Sequence, residues 1–282
     1  MRFEVWRRES EAPPHLHEIL GDAPLPALSK AAVAARARLD QSHPAPTPTT
    51  KDRGREQSLY TGVLDFAQAA GVDAVRRARD SEQIVDDVGR KSLRGLILVM
   101  AARDALPSSR APGFEPEQFW RSAARRGAVA HALAQALHPA SATTSLVAAL
   151  LQDMAIPLLA HRRIEDYAPL LRHAQQTGEP LEDLEAMEFG WTHADVAHWL
   201  LSEWGVDATI THAVGAHHKP DAPIDTVPPA VQLAALIDDE NGDLERLLEL
   251  ARSDFMLSAE ETMGAIGSAM GQADRLAALL AA

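Results

Sequence analysis

Twelve histidines and forty carboxylates supply ligand-type side chains, among them Asp153, in Leu150-Leu151-Gln152-Asp153, His193, in Thr192-His193-Ala194-Asp195, and the pair His217-His218. Neutral imidazole and carboxylate hold divalent cations, and His is the commonest metal ligand. A bound cation lowers the pKa of its water and polarises a phosphoryl oxygen, so the chemistry in view is metal-assisted hydrolysis. A working site needs several convergent ligands and one position left open for water. One carboxylate with three imidazoles is a partial set. The favoured alternative is structural. His193 stands where a helix should begin, and His217-His218 stand where another should end, a place where cationic His interacts well with the helix dipole. Asp153 is then expected to accept a hydrogen bond from one of them, because buried polar groups must find partners. Other chemistries are poorly supported. There is no Gly-rich phosphate loop and no Gly-x-Ser-x-Gly elbow, and Ser122 has no base at a diagnostic spacing.

The elements that must position these residues read as helices. Apolar residues make up 46% of the 282-residue chain, enough for a core, while aromatics are only 5% and Ala and Leu abound. That balance favours helix over strand. Helical spacing predicts helices near 15–20, 27–39, 56–70, 93–106, 117–137 and 141–158, with Pro157 bending or ending the last of these, and another helix is expected to start at Ser81. Further helices are predicted at 164–177, 180–188, 192–204, 206–218, 228–239, 243–252 and 258–281. The prolines and threonines of 42–54 predict a loop, and 107–116 is the clearest break. No segment alternates over strand length, and no repeat of domain scale is present. Trp199 and Trp204 read as core packing.

Charge narrows the partners. Lys plus Arg is 27 against 40 Asp plus Glu, a net charge of −13, so general nucleic-acid binding is disfavoured. The cluster Arg76-Arg77-Ala78-Arg79 is balanced by neighbouring acids. Arg121, Arg125 and Arg126 share one helix, and Arg121 with Arg125 is a candidate anion contact, although a solvated face is the plainer reading. The absence of Cys excludes disulfides and thiolate metal sites. The charged N-terminus has no apolar signal core, and 146–160 is too short and polar to span a bilayer. A soluble, cytoplasmic protein is expected.

Three segments in order carry a family signal: Phe119-Trp120-Arg121-Ser122-Ala123, then Ala148 to Ala155, then Glu188-Phe189-Gly190-Trp191-Thr192-His193 continuing to Ala216-His217-His218-Lys219-Pro220. Over about 22–221 the chain resembles the HDOD domain, a helical signalling relative of HD and HD-GYP phosphohydrolases. The resemblance implies an all-α, HD-domain-like bundle with two helical lobes: an arm at 1–21, the domain at 22–221, and C-terminal helices at 222–282 packed on it. It also exposes losses. The first His of the hydrolase pattern falls on Ser122, the His-Asp pair is Gln152-Asp153, and the late Asp falls near Ala235, with Asp238 a poor substitute. Gln is a weak ligand beside imidazole. Ser122, Gln152, Asp153, His193, His217 and His218 are therefore remnant positions. No catalytic residue, cofactor or divalent metal is expected; any ion would fall to Asp153, His193, His217 and His218. The resemblance implies a bacterial regulatory pseudoenzyme acting through an unidentified protein partner. Two alternatives stay open: a divergent metal-dependent phosphohydrolase, and a sensor holding a nucleotide or other small molecule in the vacated pocket.

Overall fold

The computed structural model describes residues 16–40, 50–72, 89–219, 227–237 and 243–281. These residues form helices without a strand. In chain order they are α1 (Leu16–Leu20), α2 (Lys30–Leu39), α3 (Thr50–Ala69), α4 (Arg90–Ala105), α5 (Pro116–Leu137), α6 (Ala142–Leu151), α7 (Ala155–Arg162) and α8 (Ile164–Thr177). There follow α9 (Leu181–Phe189), α10 (His193–Glu203), α11 (Ala208–Gly215), α12 (Pro229–Ala235), α13 (Leu244–Ser253) and α14 (Ala259–Ala281). The helix start expected at Ser81, the Arg76-Arg77-Ala78-Arg79 cluster, Asp238 and loop residues 42–49 lie outside the described residues.

Local chemistry sets the boundaries. Ser29 accepts from the N–H of Ala32 and starts α2. Thr192 and Asp195 form a reciprocal capping box at the start of α10, satisfying two donors that a helix start leaves unpaired. Gly178 and Gly190 end α8 and α9 in the left-handed conformation, which a side chain would resist. Two expectations need correction. The loop predicted at 42–54 does not reach that far, because α3 already begins at Thr50. The break assigned to Pro157 falls earlier, in a turn at 152–154. Pro157 is the third residue of α7, where its missing N–H costs no helix bond.

The centre of the fold is α5, which packs on α6, α12 and α14. Small residues let these helices approach. At Gly127 a Cβ would lie 2.5 Å from Leu150 Cγ on α6. The C-terminal α14 also packs on α3 and α13, and Arg103 of α4 donates to the Leu279 carbonyl. The last part of the 1–21 arm is core rather than arm: Leu16, Ile19 and Leu20 are buried, and α1 packs on α10. Arg162 donates to the carbonyls of Ala23 and Pro24, and Trp204 Nε1 donates to Pro26, tying the segment after α1 to α7 and α10. One contiguous apolar cluster runs from Leu16 to Leu280 and joins both lobes. Among the described residues one stretch, Pro139–Arg162, is long and apolar enough to cross a membrane, but 78% of it is buried.

Candidate functional site

The turn between α6 and α7 sets Asp153 at the floor of a cleft of about 510 Å³. Its walls come from α5, α9, the start of α10, the turn after α11, and α12 with α13. His193, the first residue of α10, and His217 and His218, just after α11, all face Asp153. One ligand-type atom from each of the four lies within 4.8 Å of the others. Asp153 Oδ1 is 3.3 Å from His193 Nε2 and 3.1 Å from His217 Nε2. The Nε2 atoms of His193 and His218 are 3.0 Å apart.

Each imidazole is held from behind at Nδ1. His193 Nδ1 is 2.7 Å from Glu185 Oε2, His217 Nδ1 is 2.6 Å from the Val214 carbonyl, and His218 Nδ1 is 3.1 Å from Glu182 Oε1. These partners can only accept, so Nδ1 carries the proton in all three rings and Nε2 points inward. Glu185 is fully buried on α9 and also accepts from the His193 backbone N–H and the Tyr167 hydroxyl. Phe189 stacks on Trp191, with the Arg163 guanidinium over both rings, closing the apolar side of this network.

The other oxygen of Asp153 belongs to Arg126. Arg126 Nη2 is 2.5 Å from Asp153 Oδ2, and the arginine is only 6% exposed. Burial alone would raise the Asp153 pKa, but the Arg126 guanidinium and the hydrogen bond from His193 hold it well below the usual carboxylate range. Burial would lower the pKa of His193, yet the Glu185 and Asp153 carboxylates lift it to about 10. Burial and the neighbouring His218 push His217 down to about 4. Desolvation would raise Glu182, and His218 overrides it, leaving a value of about 2. Near neutral pH the ligand-free pocket thus holds an ionised Asp153, a fixed guanidinium and a cationic His193. A neutral His217 turns a lone pair toward the carboxylate.

The remnant positions separate into two groups. Asp153, His193, His217 and His218 come together. Ser122 is buried on α5 and is not among the residues lining the cleft. Gln152 lines it, with Oε1 buried and without a hydrogen-bond partner, and Ala235 lines it with a methyl group. These three positions offer no metal ligand, so the first cation position of the hydrolase pattern does not fit this chain. The candidate anion contacts are displaced as well. Arg121 pairs with Glu117 on the exposed face of α5, and neither Arg121 nor Arg125 lines the cleft. Arg126 does, because it lies one helical turn after Ser122 and shares its face. Trp199 and Trp204 pack against the core, not the cleft.

Arg126, Glu182, Glu185 and Tyr167 are site residues that the motif reading missed. The i, i+4 relation between Ser122 and Arg126 was an available signal. The choice of Glu185 among the acids of α9 had none.

Comparison with known proteins identifies what this arrangement is similar to. The model of the HDOD domain matches residues 25–220. A crystal structure from Shewanella amazonensis SB2B, provisionally named a phosphohydrolase, superposes with a TM-score of 0.70 at 16% identity, covering 94% of this chain and 97% of its own. An HDOD domain protein of unknown function from Geobacter sulfurreducens gives 0.63 at 16% identity, covering 92% and 93%. A Marinobacter aquaeolei VT8 protein, provisionally named for signal transduction, gives 0.67 at 17% identity, covering 96% of this chain and 62% of its own. Identities this low speak to the fold alone. None of the curated proteins compared with the chain matches it significantly.

Proposed function

This chain belongs to the HDOD domain family, and we propose that it is a non-catalytic signalling protein that works by binding a protein partner. The observation that carries this reading is the Arg126–Asp153 ion pair. Metal-dependent hydrolysis needs a cation with an open coordination position beside the substrate. Here a guanidinium occupies one oxygen of the sole surviving carboxylate, and Ser122, Gln152 and Ala235 stand where further ligands are needed. The Marinobacter protein named for signal transduction supports the regulatory role by analogy of fold. Fold stability and a rigid pocket are then what the remnant residues supply.

A second reading, a divergent phosphohydrolase, is favoured by the convergence of Asp153 with three imidazoles and by the name of the Shewanella protein. One assay separates the two. The untagged chain is incubated with phosphomonoester, phosphodiester, cyclic dinucleotide and nucleoside triphosphate substrates, each with Mn²⁺, Zn²⁺ or Fe²⁺. The pseudoenzyme reading predicts rates equal to those of Asp153→Ala throughout. Turnover with any pairing that Asp153→Ala abolishes would establish the enzyme instead. A sensor role for the cleft predicts that one of the same nucleotides raises the melting temperature without being consumed.

A further inference from the structure

We infer that Asp153, His193, His217 and His218 form a closed site for one transition-metal dication of the zinc(II) type, which clamps three segments of the fold instead of activating water. The inference does not rest on the signalling role proposed above.

The geometry around Nε2 carries it. Three rings turn Nε2 toward one point because each Nδ1–H is already committed, to Glu185, to the Val214 carbonyl and to Glu182. Imidazoles that bind metals are held in this way, with the rear N–H fixed by a carboxylate or carbonyl. His217 Nε2 is buried, lies 3.1 Å from Asp153 Oδ1, and has no hydrogen-bond donor to satisfy it. His218 Nε2 and His193 Nε2 meet at 3.0 Å. A dication at this point would satisfy the unpartnered His217 Nε2 and take the place of the protons shared among the other inward atoms.

Spacing agrees with an ion. Bonds of about 2.0–2.1 Å from a tetrahedral cation put neighbouring ligand atoms roughly 3.4 Å apart. The observed separations of 3.0, 3.1 and 3.3 Å lie close to that edge. No pair exceeds 4.8 Å, so the widest must close by up to about 1.4 Å to reach that edge. Three nitrogen donors select zinc-type ions over Mg²⁺ and Ca²⁺, which prefer oxygen.

Arg126 sets the stoichiometry and the role. It occupies Asp153 Oδ2, so the carboxylate offers only Oδ1 and cannot bridge a second ion. Four protein ligands complete a tetrahedron and leave no position for a reactive water. The ion would join the turn before α7, the start of α10 and the turn after α11, segments otherwise linked by packing and by this hydrogen-bond network. Holding them together is a structural or regulatory task.

The test uses the untagged full-length chain, stripped with EDTA and re-equilibrated separately with Zn²⁺ or Mg²⁺. Bound metal is measured by elemental mass spectrometry after gel filtration, and melting temperature by scanning calorimetry. Expected are one Zn²⁺ per chain, no retained Mg²⁺, and a rise in melting temperature on the order of 5 °C at a hundredfold excess of Zn²⁺ over its Kd. His218→Ala should lose the ion, and Glu185→Gln should weaken it by about 10- to 100-fold while leaving all four ligands in place. If His218→Ala proves unfolded by circular dichroism, His218→Gln replaces it with a weaker ligand and the same loss is expected. Less than about 0.1 Zn²⁺ per chain without a thermal shift, two ions per chain, or unchanged affinity in a folded His218 variant would each overturn the inference.

Discussion

Replacing Arg126 by Met probes the pair that separates this pocket from a hydrolase site. Met fills similar volume and removes the charge, leaving Asp153 ionised in a buried setting with His193 as its remaining donor. Breaking one side of a buried ion pair costs about 3–5 kcal/mol. Two features of the structure place this case at the lower end. Only Nη2 contacts Asp153, while Arg126 Nε is buried without a hydrogen-bond partner, so replacing the guanidinium also removes an unmet donor. His193 continues to neutralise the carboxylate. A loss of about 3 kcal/mol follows, or roughly 6–12 °C in melting temperature for a domain of this size. Urea denaturation of Arg126→Met, Asp153→Asn and the double variant, all metal-free, forms a double-mutant cycle. The double variant should be more stable than the summed single losses imply, with a coupling of about 1–3 kcal/mol. Acid sensitivity should move too. Asp153 has a depressed folded-state pKa, so its contribution is present above the unfolded carboxylate range and is lost as pH falls through the folded value. Without Arg126 that folded value rises toward the unfolded one, so the acid-dependent loss should be smaller and complete at a higher pH than in the parent. An Arg126→Met protein within about 0.5 kcal/mol of the parent, with an additive cycle, would refute the assignment.

Three further outcomes follow from the packing around the site. Tyr167→Phe removes a donor to buried Glu185 and should cost about 1.5–3 kcal/mol in chemical denaturation. Burial and the Glu185 charge hold the Tyr167 pKa well above its ordinary value. Unfolded Tyr releases its proton near pH 10 while the folded protein retains it, so stability falls above that pH by about 1.4 kcal/mol per unit, a component Tyr167→Phe should lack. Thr192→Ala breaks the capping box ahead of His193 and should lower stability by about 1 kcal/mol; an unchanged urea midpoint would count against the cap. Gly127→Ala drives a methyl toward Leu150 Cγ at 2.5 Å and should cost about 1–3 kcal/mol through overpacking, whereas a stabilised variant would show that α5 and α6 have room to separate.

The helices around the site were readable where capping chemistry marks them. The spacing predicts 164–177 for α8, and the structure places it there because Gly178 stops it. The start of α10 is written in Thr192 and Asp195. Asp153, His193, His217 and His218 stood out through the resemblance to the HDOD pattern, whose motif positions they match, and these residues do converge. The turn at 152–154 was hidden because Pro157 marks a helix boundary only approximately: Pro fits the first turn of a new helix as readily as the end of an old one. Glu185 was hidden for another reason. α9 carries Glu182, Asp183, Glu185 and Glu188, and only packing against Tyr167 and His193 turns one of them into a buried hydrogen-bond acceptor. Arg126 read as part of a solvated basic face because Arg121, on the same helix, has that character. A long-range partner 27 positions later leaves no local trace in the pattern.

The central claim is that the chain's own side chains saturate this pocket, leaving no site for hydrolysis. It is tested most directly by a crystal structure of the protein equilibrated with Zn²⁺, with anomalous scattering used to count and place ions. The account predicts one peak, bonded to Asp153 Oδ1 and the three His Nε2 atoms, with Arg126 still on Asp153 Oδ2 and no solvent ligand facing the cleft. Two peaks bridged by Asp153 with Arg126 displaced, or one ion carrying an open water position, would contradict it.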